Sequence, residues 1–271
     1  MIHVIKSLMM EKLTDRDYSL AVERGDKFLV SYPKSGNTWV QWIIYFLFND
    51  SDEPVTHPLG QFAPENPQMR IVESYYSTNS ELRRIRTRHR DLVIKSHSVF
   101  MTKFSCTKVL YIVRDPRDVA LSYFSYATKL LGRDMQFRDF LARYLGGTIE
   151  PRFGSWGEHV GSWLGAMNGE SEHFLSVRYE DLIDTPLDTV RSICRFFSWN
   201  MTDETIARAI TRADFSALRE REITSRSVDA GSAALFFRKG QKDQWRNELG
   251  ADDRKLIEAR FANQMRAVGY L

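Results

Sequence analysis

Lys34, Ser35, Gly36, Asn37 and Thr38 put a full positive charge, three short polar side chains and one glycine in consecutive positions. Such a set suits the cradling of a phosphate: the glycine lets the backbone come close, the short side chains add donors, and the lysine adds charge. A second group, Lys95-Ser96-His97, pairs a cation with an imidazole. Histidine has an ordinary pKa near ~6.5 and can take up or release a proton near neutral pH. A third, Arg114-Asp115-Pro116-Arg117-Asp118, gathers two guanidiniums and two carboxylates around a proline. The run Arg238-Lys239-Gly240 again sets cations before a glycine, and the planar fork of Arg238 suits a phosphate.

These residues need elements that bring them together. The apolar run Lys27-Phe28-Leu29-Val30-Ser31-Tyr32 predicts a short strand, Pro33 to Gly36 a turn, and Thr38 onward a buried helix. A helix start after such a loop leaves its first amides unpaired, at the positive end of the helix dipole, where an anion is favoured. Leu92-Val93-Ile94 and the run Lys108–Val113 read as buried parallel strands, and Phe174 to Tyr179 as another. Lys95 and His97 therefore stand at the C-terminal end of a parallel strand, where ligand crevices of α/β sheets lie. After Val113, Pro116 suits a first helical turn and Asp118 the positive helix end of a segment running to Leu131. Further helices are predicted over Phe137–Tyr144, Trp156–Met167, Asp188–Phe197, Thr202–Thr211 and Asp252–Val268, with Thr202 as an N-cap. The stretches 49–68 and 223–237 read as long loops.

The run YPKSGNTW beginning at Tyr32 differs from the nucleotide triphosphate loop, in which lysine follows the glycine. It resembles the 5′-phosphosulfate-binding loop of the cytosolic sulfotransferases, which move a sulfonate from 3′-phosphoadenosine 5′-phosphosulfate (PAPS) to a small acceptor and release adenosine 3′,5′-bisphosphate. The resemblance implies that Lys34, Ser35, Gly36, Asn37, Thr38 and Trp39 contact the donor. It also implies that His97 is the catalytic base, with Lys34 and Lys95 at the bridging oxygen. RDPRDVALSYF resembles the family's 3′-phosphate segment, which assigns Arg114 and Ser122 to that phosphate and Ser122 also to an interaction with the loop lysine. Tyr179 is implied at the adenine edge, Phe215 stacked on adenine opposite Trp39, and Arg238, Lys239 and Gly240 closing over the 3′-phosphate. Two departures stand out: Ala213-Asp214 where many members have Thr-Ser, and Asp243-Gln244 where the family usually has Gly-Asp before the tryptophan.

The chain of 271 residues with 43% hydrophobic content is long enough for one α/β domain spanning 1–271, expected as a central parallel sheet with helices on both faces. A net charge of +3 argues against a general nucleic-acid surface. Two cysteines, Cys106 and Cys194, are too few for a disulfide framework, and no His, Cys and carboxylate spacing suits a metal. The Trp39–Phe48 segment is far shorter than the ~20 residues of a membrane span, and Met1–Met10 lacks the layout of a secretory signal, so a cytoplasmic protein is expected. His3, His57, His89, His159 and His173 have no partner in the sequence pattern and read as structural or exposed. The expected partner is a small acceptor with a hydroxyl or amine, against aromatic walls drawn from Tyr75, Tyr76, Phe100, Tyr126, Phe153 and Trp156. A monomer and a homodimer are both compatible with the pattern. A catalytically silent PAPS-binding protein and a P-loop kinase are the competing readings; the first would be free to lose His97, and the second lacks its loop.

Overall fold

The computed structural model describes residues 22–49, 69–73, 79–89, 91–167, 172–224 and 240–271. The chain alternates strand and helix through its first half: β1 (Lys27–Ser31), α1 (Asn37–Phe48), β2 (Met69–Glu73), α2 (Asn79–Arg88), β3 (Asp91–Ser96) and β4 (Lys108–Val113). Then come α3 (Pro116–Ser125), a π-helical turn (Tyr126–Leu130), α4 (Phe137–Leu145) and α5 (Trp156–Met167). β5 (Phe174–Arg178) is followed by α6 (Tyr179–Asp184), α7 (Pro186–Phe196), α8 (Asp203–Arg212), α9 (Phe215–Thr224), α10 (Trp245–Glu248) and α11 (Ala251–Ala267). All five strands run parallel in the order β2-β3-β1-β4-β5. β2 carries no strong strand signal in the sequence, because only Ile71 and Val72 are apolar and β-branched in it. It forms as an edge strand on β3.

Both faces of the sheet are covered, as alternation along the strands requires. Phe28, Val30, Val109, Tyr111 and Val113 point into one core with Leu82 of α2, Val119 and Tyr123 of α3, Phe140 of α4, Trp163 of α5 and Phe261 of α11. Leu29, Val93, Leu110, Ile112 and Val177 point into the other, with Ile44 of α1, Ile193 of α7 and Ile206 of α8. So α1 leaves β1 toward one face, and α3 leaves the adjacent β4 toward the other. Diverging connections from neighbouring strands open a crevice at their C-terminal ends, the topological switch point of an α/β sheet. The loop at Lys34 and the segment at Arg114 line this crevice.

The start of α3 is held by a buried ionic knot. Asp115 caps the helix by accepting from the Arg117 amide at 2.9 Å, Pro116 occupies the first turn, and the Arg117 side chain folds back onto the Asp115 carboxylate at 2.6 Å. Arg117 also pairs with Glu258 of α11 at 2.6 Å and lies 3.7 Å over the Trp245 ring. Asp118 accepts from the Trp245 amide at 2.9 Å. The segment after Gly240 is thereby latched to the helix that follows β4. Arg117→Leu leaves the Asp115 and Glu258 carboxylates without their partner and is expected to cost about 3–5 kcal/mol in urea unfolding. Lys255→Ala, which removes a surface pair with Asp252 on α11, is expected to cost less than about 1 kcal/mol in the same measurement.

Candidate active site

The loop from β1 into α1 has the geometry of an anion cradle. Lys34 adopts φ 69° and Gly36 φ 99°, both left-handed, which helps turn successive N–H groups into one concavity. Gly36 is the N-cap of α1 and no side chain caps the helix, so its first amides are left to another acceptor. Ser35 Oγ is buried without a hydrogen-bond partner. A Cβ on Gly36 would lie 2.5 Å from Cδ2 of Tyr179, so the loop can pack on this ring only as glycine. Asn37 departs from expectation. Its side chain donates to Ser31 Oγ at 3.2 Å and accepts from Gln41 Nε2 at 2.7 Å. The side-chain amide is committed to the strand behind the loop and to Gln41, which leaves only the backbone N–H of Asn37 to serve as a donor to a ligand.

His97 stands one residue beyond β3, beside the end of β1. Its Nδ1 lies 2.6 Å from the Ser31 carbonyl oxygen. A carbonyl can only accept, so Nδ1 carries the proton and Nε2 presents its lone pair. Burial, together with the Lys95 charge, holds the imidazole well below its usual pKa and therefore neutral at pH 7. The Phe153 ring packs edge-on against it at 5.6 Å.

His159 is fully buried and has two partners, so it is neither exposed nor alone. Its Nε2–H donates to the His97 carbonyl at 3.0 Å, and its Nδ1 accepts from the Tyr111 hydroxyl at 2.9 Å. Burial pushes its pKa down to about 4, which keeps that tautomer at neutral pH. Along the same helix, Trp163 donates to the Ser98 carbonyl at 3.2 Å, and Ser162 Oγ accepts from the Phe100 amide at 2.9 Å. One face of α5 thus fixes the backbone from His97 to Phe100. Ser155 and Glu158 set the start of α5 by a reciprocal capping box, with Ser155 N–H donating to Glu158 at 2.7 Å and Glu158 N–H to Ser155 Oγ at 3.2 Å. The sequence does carry this S-x-x-E signature, whereas the pairing of His159 with the His97 carbonyl joins residues 62 apart in the chain and has no local signal.

Arg114 sits behind the loop and is 6% exposed. Its guanidinium donates to the Lys34 carbonyl at 3.3 Å and the Gln241 carbonyl at 3.0 Å, and lies 4.1 Å over the Tyr179 ring. Its Nε has no hydrogen-bond partner. The Lys34 ammonium lies 4.2 Å over the Tyr126 ring. Burial, then the like charges of Arg114 and Lys95, push its pKa down to about 7. Lys95 and Ser122 are both partly exposed, Lys95 on β3 and Ser122 on α3 one turn before Tyr126.

A set of rings adjoins the loop. Trp39 meets Tyr179 edge-on at 5.5 Å and donates from Nε1 to the Ala213 carbonyl at 2.8 Å. Asp214 caps α9 by accepting from the Ser216 amide at 2.9 Å, so the two residues that depart from the family pattern have structural partners. Gly240, at φ 62°, lies so close to Phe215 that a Cβ would come within 2.2 Å of the ring. Asp243 takes φ 58°, the conformation for which the family's usual glycine is suited. Arg238, Lys239, Tyr75 and Tyr76 lie outside the described residues. Trp156 is no pocket wall: it is fully buried against Phe261 and donates to the Arg114 carbonyl at 3.2 Å.

An uncapped helix at a switch point, with a lysine and an arginine beside it, marks a protein suited to binding phosphate groups, and a neutral histidine stands at the neighbouring strand end. A Sulfotransferase domain model matches residues 24–269, and the chain belongs to that family. It is 27% identical to Sulfotransferase 2B1 of Mus musculus over 271 residues, covering 95% of this chain and 76% of that protein. It is 29% identical to the 3-beta-hydroxysteroid sulfotransferase of Cavia porcellus over 236 residues, covering 84% and 79% of the two chains. The fold is that of mouse sulfotransferase SULT7A1 complexed with PAP, with a TM-score of 0.72 and 24% identity over 94% of this chain and 89% of that one. Among the described residues no helix is long and apolar enough to cross a membrane.

Gly36→Ala is expected to destabilise the protein by about 1–3 kcal/mol, because alanine disfavours the left-handed φ and its methyl meets Tyr179. Thermal unfolding measures this. In a Tyr179→Ala background the steric share of the cost disappears and the conformational share stays.

Proposed function

We propose that this sulfotransferase moves the sulfonate of PAPS to the hydroxyl or amine of a small acceptor, with His97 as general base. The observation that carries the reading is the Ser31 carbonyl, at the end of β1: it fixes the His97 tautomer and lies at the root of the loop that holds Lys34. Sulfotransferases of this family use PAPS as the sulfonate donor. The residues present fit it: the cradle leaves its amides and Ser35 Oγ unsatisfied, and it excludes a Cβ at Gly36. PAPS, a substrate, supplies an electrophilic sulfur whose leaving group is a bisphosphate.

In this reading the loop amides, Ser35 and Thr38 hold the 5′-phosphate. Lys34 and Lys95 meet negative charge that grows on the bridging oxygen. Arg114 and Ser122 take the 3′-phosphate, the role the resemblance also assigns to Arg238, Lys239 and Gly240, and Trp39, Tyr179 and Phe215 take the adenine. Arg114 then has two tasks, since its guanidinium already ties the Lys34 loop to Gln241. Nε2 of His97 accepts the proton of the attacking group while Nδ1–H stays on Ser31. As in phosphoryl transfer, positioning and charge stabilisation carry most of the catalysis.

A P-loop kinase would place lysine after the loop glycine, and here it comes before. A silent PAPS-binding protein has no use for a histidine whose lone pair is freed by a carbonyl and whose backbone is held by His159. For the acceptor we infer a phenol, aromatic amine or steroid-like alcohol, because Tyr126 offers a partly exposed ring beside Lys34; the Phe100 ring packs instead on Trp163. A cytoplasmic enzyme, monomeric or homodimeric, is consistent with a pool of free PAPS and small acceptors.

His97→Ala is expected to lower turnover by roughly 10²- to 10⁴-fold while leaving adenosine 3′,5′-bisphosphate binding within about twofold. The loss is larger for an aliphatic alcohol than for an acidic phenol. Equal turnover of mutant and wild type on a 3β-hydroxysteroid removes His97 from the mechanism. Since the free imidazole titrates low, wild-type turnover persists below about pH 6.5.

Lys34 is half neutral near its pKa of about 7 in the free protein, and a bound dianion favours its charged form. Binding of adenosine 3′,5′-bisphosphate at about pH 8 is therefore expected to take up close to one proton. Calorimetry in two buffers of different ionisation enthalpy reads this uptake, and Lys34→Met abolishes it. Preference for ATP-Mg over the bisphosphate in the same titration overturns the donor assignment.

A further inference from the structure

Glu150 and Arg152 form an ion pair beside the base that the donor and base assignments leave out. They belong to a short 3₁₀ turn, Pro151–Phe153, which Glu150 precedes. Arg152 Nη2 donates to Glu150 Oε2 at 3.0 Å, and the two side chains are 20% and 13% exposed. The turn is closed by its own backbone, with Phe153 N–H donating to the Glu150 carbonyl at 3.0 Å and Gly154 N–H to the Pro151 carbonyl at 3.1 Å. The capping box of α5 follows at once, so the frame that places Arg152 is continuous with the helix that holds the His97 backbone. The guanidinium lies 4.6 Å over the Phe153 ring, and that ring packs edge-on against the His97 imidazole at 5.6 Å.

Phe153, a ring expected to wall the acceptor, thus spaces a fixed cation from the base. Behind burial and the Lys95 charge, Arg152 adds to the lowering of the His97 pKa, whereas Glu150 adds to burial in raising those of Tyr32 and Tyr123. The pair is therefore polarised, cation toward the base and carboxylate toward the tyrosines. In the donor reading Lys34, Lys95 and Arg114 meet PAPS, and Arg152 does not. Glu158, the next carboxylate along, is committed to the Ser155 amide. A guanidinium carries five N–H donors in a planar fork, enough for two carboxylates at once, so its hold on Glu150 is compatible with an anion on the acceptor.

Resting on the sulfotransfer reading, we propose that Arg152 is a specificity-determining residue, and that the acceptor it selects is a short hydroxyaryl compound carrying a carboxylate. The guanidinium pairs with this carboxylate while the phenol oxygen meets His97. The spacing sets the length of the acceptor: base, ring and guanidinium follow one another at 5.6 and 4.6 Å, so the anion belongs one aryl ring and a short arm away from the attacking hydroxyl. A carboxylate at the far end of a steroid lies beyond that reach. Glu150 tempers the preference, because it shares the same guanidinium.

The test uses three phenols of similar size and like acidity at about pH 7.5. They are 3-(4-hydroxyphenyl)propionate, its amide and tyramine, which carry a negative, a zero and a positive charge. Wild type, Arg152→Gln, Arg152→Lys and Glu150→Gln are compared by kcat/KM at saturating PAPS, and by titration of each phenol into protein saturated with adenosine 3′,5′-bisphosphate. In wild type the propionate is expected to exceed the amide roughly five- to twentyfold in kcat/KM, through KM, and tyramine to fall below the amide. Arg152→Gln brings the propionate-to-amide ratio within about twofold of unity, and Arg152→Lys, which keeps the charge and loses the fork, retains part of it. Glu150→Gln raises the ratio about two- to threefold, since the guanidinium is no longer shared. A pair that only braces the turn moves both acceptors alike in every variant, and that result overturns the proposal. A wild-type ratio near unity, a preference for tyramine, or a Glu150→Gln ratio at or below that of wild type overturns it as well, and this last comparison stands even where Arg152→Gln fails to fold. If the bisphosphate binds and none of the three phenols is sulfonated, the sulfotransfer reading falls, while the propionate-to-amide ratio in the titrations still decides the role of Arg152.

Discussion

The guanidinium of Arg114, buried among backbone carbonyls, is the contact on which this site depends. It reaches the loop after β1 through Lys34 and the segment after Gly240 through Gln241, and it rests on the ring that opens α6. Four stretches distant in sequence are thereby held around one rigid charge. A planar fork with several donors can bridge carbonyls in this way, and a lysine at the same place could not. Burial of this cation next to Lys34 also raises the electrostatic tension of the crevice, which an anion relieves.

A second constraint runs through the backbone at the end of β3. The Ser31 carbonyl orients the His97 ring, and His159 holds the His97 carbonyl from the opposite side. Since His159 is fully buried and His97 is desolvated beside Lys95, both are kept neutral and the arrangement stays in one tautomer across the neutral range. Helix α5 contributes three contacts to residues 97–100, so it acts as a brace for His97 as well as a cover for the sheet. The capping box that starts this helix sets where His159 falls.

The departures from the family pattern acquire physical explanations in the fold. Asp243 accepts a left-handed backbone that glycine would adopt more readily, as a short polar residue can. Ala213 supplies only its carbonyl, which is what the Trp39 indole requires, and Asp214 turns its carboxylate to the start of α9. The latch from Trp245 to Arg117 and Asp118 then holds the end of the Gly240 segment against α3.

Much of the local structure around the crevice was legible from the residues alone. The strand, loop and helix around Lys34 are local: apolar run, turn and periodic helix lie within about twenty residues, and the loop's anion preference follows from a helix start whose amides have no other acceptor. The strand before His97 and the capped start of α3 are readable for the same reason. The roles of Asn37, His159 and Trp156 were not, because each is decided by partners on other elements: Asn37 turns back to β1, His159 reaches across to the His97 carbonyl, and Trp156 closes on α11. Nor could spacing reveal that Lys34 rests on Tyr126, which depends on a π-helical turn at the end of α3. Local sequence determines which groups stand at strand and helix ends. The tertiary packing decides which of those groups are desolvated together, and so which are free to act on a ligand and which are spent on holding the site.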